Sequence, residues 1–600
     1  MLAPHVENLN DLETGSQSRI GRITILKFFL AVGLVSFLLR IFYSAHLYQD
    51  DGLWFTAAEE ILRGKTLYRE IYFDKPPALA LVYAGLFKIF GAHILTIRLF
   101  TIFYSLVVSA VLYLFGALLY DRRAGLVAAL MFAVFSTTYT AGHVQGFNTD
   151  FLMALPYTAG AYLLTRSRAD LFRKSCARVA SYAFIGGAFV GVASQVNPKA
   201  LFDLIFFALF LFLARERRAR NASLFAIALA GLIAGALPFL IYIAATGALA
   251  SYWSYVWDWG SRYAGYYPLW WIAAAAFRQS ADYFLLNNTL LFALIFVAVA
   301  VAKRVKSIKR GDTKLAPTAD LAARAMFFAD STLLLWFVVS YAGMAVGGRF
   351  FGHYFFQIIP CLCLMGARAV IALNSLRVSS RARQVLFALL IVGFIFTLAR
   401  FHGRTVMLAA DWARDSKSVK AADWLHERLN REERRAAVQV RGLGDALDAE
   451  DEMGLEEMRI DSPRERGGEG PSDYLFVWGY RPEIYYWSGL LPASKYLSTQ
   501  PLTGVPADVH YFGDEYHSLL EDDVTARERA ELVRELEEAR PEYIIDELGT
   551  FNSNLSINSY PELRQFMEGY KYLDMVERFA IYRRKDFTKG YRQRNPDAQP

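Results

Sequence analysis

Apolar residues in this chain run in long stretches, without the short periodic alternation of soluble elements. Stretches of about 15 to 25 residues occur at 23–43, 95–119, 125–141, 150–165, 179–196, 200–214, 222–246, 281–302, 329–346, 354–373 and 384–400. A helix needs about 20 apolar residues to cross about 30 Å of hydrocarbon, so the pattern predicts a mainly α, polytopic membrane protein of about eleven spans within 22–400. One further apolar stretch, 76–92, opens on Pro76-Pro77 and contains Lys88. It is expected to lie in the interface with the rest of the juxtamembrane loop 44–94.

After residue 400 the pattern changes. Helical periodicity at Val419–Leu429 and Ala526–Ala539 and short apolar runs at Tyr474–Trp478, Tyr543–Asp546 and Arg578–Arg583 predict a small α/β domain over 401–587. Glu427–Gly470 is dense in Glu, Arg, Asp and Gly, so a disordered or solvated insertion is expected at about 430–470, and a disordered tail at 588–600.

Composition agrees: 55% of the 600 residues are hydrophobic and 20% are charged, too apolar for a soluble chain of this length. Net charge is +18 over 1–400 and −11 over 401–600, so the overall basic balance describes neither part. Nucleic-acid binding is not expected, because the basic residues sit in short clusters between spans. With 76–92 outside the membrane, 23 basic residues collect on one side, in loops such as Lys303–Arg324, and nine on the other. By the positive-inside rule the N-terminal tail 1–21 is cytoplasmic and the first span is a retained signal anchor. The chain is expected in the cell inner (plasma) membrane, with the loops 44–94, 142–149, 247–280 and 347–353 and the C-terminal domain facing outward, to the periplasm.

The three cysteines, Cys176, Cys361 and Cys363, precede residue 400, so disulfides do not staple the tail. No HExxH, zinc-spaced Cys/His cluster or GxSxG elbow occurs, and no metal ligands are assigned. Gly64-Lys65-Thr66 ends like a P-loop, but Glu59 stands where the first glycine belongs. What stands out is convergence on the outward face. Asp50 and Asp51 follow the first span, Asp150 opens the fourth after His143, Gln145 and Asn148, Arg262 lies in an aromatic loop, and Arg349 and His353 share a glycine-rich turn. Each has an ordinary alternative: helix capping for the acids, interface anchoring for Arg262, Arg349 and His353, and a membrane-interface belt for the aromatics. Together, carboxylates and cations at one membrane surface suit an anionic lipid headgroup and a hydroxyl acceptor.

The run Asp50-Asp51, Leu67-Tyr68, Asp74-Lys75-Pro76-Pro77, Phe90-Gly91, Arg98 and Asn148-Thr149-Asp150, with the turn Arg349–Tyr354, resembles the C-type membrane glycosyltransferases. Within them it is similar to the protein O-mannosyltransferase and aminoarabinose-transferase superfamily and to bacterial Rgt-type galacturonosyltransferases. The likeness covers about 20–400, and Trp478-Gly479-Tyr480-Arg481-Pro482-Glu483 is similar to the tails of bacterial members. The family's usual Asp-Glu is Asp-Asp here.

The resemblance implies the C-type fold, a polyprenyl-phosphate-linked sugar as donor, inversion at the anomeric carbon, and membrane lipids as surroundings. Asp50 matches the family's first acid and so the general base, with the choice between Asp50 and Asp51 open. Lys75 matches the phosphate-binding lysine, and Arg262 falls where members place an arginine. Arg349 and His353 are further phosphate candidates, and His143 and Asn148 are weaker acceptor or sugar contacts. Asp150 matches a second acid that orients the acceptor or holds a cation, which leaves room for a divalent ion. The sugar and the acceptor (lipid, glycan or protein) are not fixed. An oligosaccharide ligase or polymerase on a similar scaffold is the enzymatic alternative. A flippase or transporter would place its acids mid-membrane, and a receptor would not need eleven spans.

Overall fold

The computed structural model describes residues 22–41, 47, 49–138, 146–170, 175–213, 218–309, 317–375, 380–403, 416–441, 474–509 and 517–586. In chain order the first helices are α1 (Arg22–Arg40), α2 (Gln49–Leu62), α3 (Ala78–Phe90), α4 (Ile94–Leu119), α5 (Arg122–Phe135), α6 (Thr149–Ala169) and α7 (Cys176–Ser194). Then come α8 (Phe202–Phe212), α9 (Arg218–Ala245), α10 (Leu269–Leu286), α11 (Asn288–Lys309), α12 (Pro317–Ala345), α13 (Ile359–Ser375), α14 (Ser380–Leu398) and α15 (Lys417–Arg441). These residues group into two compact units, Met1–His46 with Asp74–Ala409 and Leu47–Phe73 with Ala410–Pro600. The division cuts through the 44–94 loop and assigns α2, with its paired acids, to the tail unit.

The first unit is a bundle of apolar helices. Ile94–Leu119, Cys176–Ser194, Arg218–Ala245 and Ala323–Ala345 are each long and apolar enough to cross a membrane, and α10 with α11 makes a fifth crossing if the bent pair counts as one. Length and composition thus mark four or five crossings among the described residues, against the eleven expected; α8, for instance, has only 11 residues. Outward-facing side chains are apolar, with Leu30, Ile233 and Val392 all more than 60% exposed, as a hydrocarbon solvent requires. The chain is a multi-pass membrane protein. Helix α3 has 13 residues, about 20 Å of rise, too short to span.

The expected span 281–302 is corrected by the structure: the helix breaks at Asn287, where α10 and α11 meet at 108°. The Asn287 carboxamide explains the break. Its nitrogen donates to the carbonyls of Thr138 (3.1 Å) and Tyr283 (3.0 Å), and its oxygen accepts from the Thr138 hydroxyl (2.7 Å). Backbone groups freed at the bend sit beside a side chain that meets both donors and acceptors.

Helices α7 and α9 touch along their backbones. A Cβ on Gly187, Gly191, Gly231 or Gly235 would overlap the facing carbonyl of Ala228, Leu232, Phe184 or Ala188 respectively. The two four-residue glycine spacings mesh, the device by which helices approach in lipid, where hydrophobic burial no longer favours association.

In the tail unit, β1 (Tyr474–Trp478), α16 (Glu483–Ser488), β2 (Leu491–Pro492), α17 (Asp522–Ala539), β3 (Tyr543–Asp546), α18 (Pro561–Met567), β4 (Tyr570–Val576) and β5 (Phe579–Arg584) follow α15. The sheet order is β2-β1-β3-β5-β4; β1 lies parallel to β2 and β3, and β5 antiparallel to β3 and β4. The central strands are buried on both faces, as their continuous apolar runs require. Helix α15 continues to Arg441, into the stretch expected to be an insertion, because Glu, Arg, Ala and Gln there are strong helix formers whatever their charge. The rest of that stretch, and 588–600, lie outside the described residues.

Helix α2 is built into this unit across a large sequence distance. The Thr56 hydroxyl donates to the Pro482 carbonyl (3.3 Å), Phe55 packs edge-on against Tyr486 at 4.6 Å, and the Tyr72 amide donates to the Lys495 carbonyl (2.9 Å).

The glycine contacts predict that Gly191→Leu, which drives a side chain into the α9 backbone, lowers the thermal midpoint of detergent-solubilised protein by several degrees or prevents its recovery. Gly85→Ala on α3, where nothing lies within 4 Å of the added carbon, should leave the midpoint unchanged.

Candidate active site

Asp150 opens α6 and is fully buried. Asn148 caps this helix, its side-chain oxygen accepting from the Phe151 amide (2.9 Å), so the positive end of the helix lies beneath the carboxylate. Asn197 donates from its side-chain nitrogen to one Asp150 oxygen (3.3 Å), and His353 Nε2 lies 3.7 Å from the other. Lys199 and Lys75 supply opposite charge to Asp150.

Lys199 sits on the one-turn helix Pro198–Leu201 between α7 and α8. Asn197 caps that turn, its oxygen accepting from the Lys199 amide (3.1 Å), while Gln357 donates to the Lys199 carbonyl (3.1 Å). The ammonium is buried with no hydrogen-bond acceptor among the described residues and lies 2.9 Å from the centre of the Tyr354 ring. Burial pushes its pKa down to about 8; Asp150 opposes this, while the positive charges of Lys75 and Arg349 add to it. A cation is thus held beside an aromatic face, among other cations and near one buried acid.

The turn from Gly347 to Phe350 brings the third cation. Gly347, Gly348 and Phe350 all have positive φ (86°, 67° and 50°), a strained backbone for Phe350. A Cβ on Gly348 would come within 2.6 Å of Ile272 on α10, so glycine is needed there for space as well as conformation. Arg349 donates to the carbonyls of Tyr263 (2.7 Å) and Gly347 (3.3 Å). Its guanidinium lies 3.4 Å from the Tyr263 ring centre and 5.0 Å from that of Tyr267. Lys75 is partly exposed, bonds to Asp74 at 2.8 Å and lies 5.8 Å from the same Tyr263 ring.

The first unit thus brings together Lys75, Asp150, Arg349 and His353 from the sequence-derived set. Arg262 is exposed, one residue before Tyr263 on the helical turn Trp259–Ala264. His143 lies outside the described residues. Asp50 and Asp51 belong to the tail unit, where successive positions about 100° apart on α2 leave Asp50 exposed and Asp51 buried. Among the described residues no three His, Cys, Asp or Glu side chains gather as a metal site. Lys199, Asn197 and Gln357 were not singled out from sequence, and Tyr354 appeared only as the end of the Arg349–Tyr354 turn. The Asn197-Pro198-Lys199 turn between two apolar runs was the available signal for the first two.

Residues 74–242, which contain Lys75, Asp150 and Lys199, match the family model for dolichyl-phosphate-mannose-protein mannosyltransferases. Two solved structures share the architecture over nearly the whole chain. One is ArnT from Cupriavidus metallidurans bound to undecaprenyl phosphate (TM-score 0.56, 12% identity, covering 94% of this chain and 98% of that one). The other is the oligosaccharyltransferase AglB from Archaeoglobus fulgidus with an inhibitory peptide and a dolichol-phosphate (TM-score 0.50, 15% identity, covering 95% and 75%). The chain has the fold of the C-type membrane glycosyltransferase superfamily. Comparison with curated proteins gives no match.

The Lys199 environment has a pH signature. Its folded-state value of about 8 lies below the ordinary lysine value of 10.5, so between them the folded protein holds less of this proton than the unfolded chain, and stability rises with pH across that window. Thermal unfolding in detergent across the window should show this rise in the wild type and a smaller one in Lys199→Met. At neutral pH Lys199→Met and Asp150→Asn should couple in a double-mutant cycle, by about 0.5–3 kcal/mol; additive effects would separate the two groups.

Proposed function

We propose that the protein is an integral-membrane glycosyltransferase that moves a sugar from a polyprenyl-phosphate-linked donor to a hydroxyl acceptor on the outer face of the membrane. The observation that carries this reading is the gathering of Lys75, Lys199 and His353 around the buried Asp150, with Arg349 acting on Lys199. The proteins of similar fold support it, since one binds undecaprenyl phosphate and another dolichol-phosphate.

The residue types suit the chemistry. The acceptor oxygen attacks the anomeric carbon while the bond from that carbon to the phosphate oxygen breaks, and the electron pair leaves on polyprenyl phosphate. Attack opposite the leaving group inverts the centre. Negative charge grows on the departing phosphate, where fixed cations lower the barrier. Lys75, Lys199 and Arg349 supply that charge, with Arg262 and His353 as further phosphate contacts. The acceptor proton goes to a carboxylate, a contribution of about 10²–10⁴-fold. Asp50 takes this role because an exposed carboxylate can reach an acceptor, and Asp51 supports it. Asp150 orients the acceptor or the cation cluster, and Asn148 and His143 contribute to acceptor or sugar binding. The oligosaccharyltransferase fold of AglB favours a second reading, transfer of a whole glycan from a diphosphate-linked lipid.

Incubating purified protein with a panel of polyprenyl-phosphate sugars and candidate acceptors tests the proposal; consumption of none would overturn it, and consumption of a diphosphate-linked glycan alone would favour the second reading. Once a donor is known, Asp50→Asn should abolish turnover while donor binding survives, and Asp51→Asn should be milder. Lys75→Ala should weaken donor binding by about 1.5–3 kcal/mol, and unchanged affinity on folded protein would remove Lys75 from the site. The topology is tested by labelling: a cysteine at Ala507 should react with an impermeant reagent from the outer side and one at Lys306 only from the cytoplasm.

A further inference from the structure

The glycine that follows the paired acids marks how they are held. A Cβ on Gly52 would lie 2.6 Å from the Glu483 amide nitrogen, 2.8 Å from its Cα and 2.7 Å from its Cβ. Two of these are main-chain atoms at the start of α16 and the third, Cβ, is fixed by them, so a rotamer change cannot move any of them aside. The first turn of α2 therefore rests directly on the main chain at the end of the Trp478-Gly479-Tyr480-Arg481-Pro482-Glu483 run. One turn further along α2, Thr56 bonds to the Pro482 carbonyl and Phe55 packs on Tyr486, so the contact continues down one face of the helix.

The surface that α2 rests on is itself fixed. The Ser418 hydroxyl donates to the Glu483 carboxylate (2.8 Å), tying α16 to α15. Arg481 donates from Nε to Glu547 (2.8 Å), and the other Glu547 oxygen accepts from the Tyr480 amide (2.8 Å), tying the same run to the end of β3. Trp478 Nε1 donates to the Leu555 carbonyl (2.8 Å) beneath it. The docking fixes the rotation of α2 about its axis, which decides that Asp50 is exposed while Asp51 is turned inward. A rotation of one residue, about 100°, would exchange them.

We propose that the Trp478–Glu483 turn of the C-terminal domain is the positioning element for the Asp50–Asp51 pair, acting through Gly52 and Thr56. This rests on the glycosyltransferase reading for its consequence in turnover, and on the α2 contacts alone for its geometry. None of Gly52, Thr56 or Pro482 touches substrate in this account; they set the angle at which a carboxylate is presented.

Full-length Gly52→Ala and Thr56→Val should be assayed with a donor that the wild type consumes. Each should lower kcat per folded molecule, at least tenfold for Gly52→Ala, while donor KM stays within about twofold, and Thr56→Ser, which restores the hydroxyl, should recover most of the Thr56→Val loss. A purely structural role would instead reduce the folded fraction and leave kcat per folded molecule unchanged, and that result in both variants would overturn the proposal. Where Gly52→Ala is not recovered folded, the Thr56 pair decides. If the wild type consumes no donor, the glycosyltransferase reading fails by itself, and amide hydrogen exchange of residues 50–56 decides the docking: faster exchange in Thr56→Val than in wild type and Thr56→Ser supports it, and equal exchange overturns it.

Discussion

A carboxylate with no exposed surface must be compensated where it stands, and Asp150, in the first turn of α6, is such a group. Most of the first unit's polar organisation follows from that constraint. The α6 N-terminus, the Asn197 carboxamide and His353 surround it at close range, and Lys199 and Lys75 supply opposite charge. Lys199 needs its own support, which Asn197, Gln357 and the Tyr354 ring give. Because Asn197 uses both ends of its side chain, one residue fixes the spacing between the acid and the cation. Burying like charges close together is costly, and the fixed partners around Lys199 and Asp150 offset part of that cost.

The tyrosines 263 and 267 do for Arg349 what Tyr354 does for Lys199. Aromatic faces hold cations without consuming their hydrogen-bonding capacity as a carboxylate would. The strained Gly347–Phe350 turn lifts Arg349 onto those rings. Tyr263 is thus both a scaffold for Arg349, through its carbonyl and its ring, and a neighbour of Lys75.

Apolar runs made the helices legible in the sequence because hydrocarbon imposes a simple requirement on composition. The strands Tyr474–Trp478 and Tyr543–Asp546 were equally plain, being short, apolar and bounded by polar residues. The bend at Asn287 was not, since one amide in an apolar run can equally cap, hydrogen-bond across or face a partner, and only the Thr138 contacts decide. Lys75, Asp150, Arg349 and His353 were legible as candidates through motif and placement. Lys199 was hidden, because a single lysine in a short loop looks the same whether it faces water or a buried acid. The docking of α2 was invisible for a different reason: its partners lie more than 400 residues away, and nothing local in Gly52 or Thr56 names them.

That separation has a consequence for how the protein is made. Thr56 leaves the ribosome 426 residues before Pro482 does. At about 5–20 residues per second the acid-bearing helix waits about 20–90 s before its resting surface exists. Throughout that interval α2 lacks the contacts that orient it. A chain truncated between Asp150 and Trp478 would carry Asp50, Lys75 and Asp150 and still lack the surface that orients the first of them, so α2 takes its final rotation only after the C-terminal domain has been made.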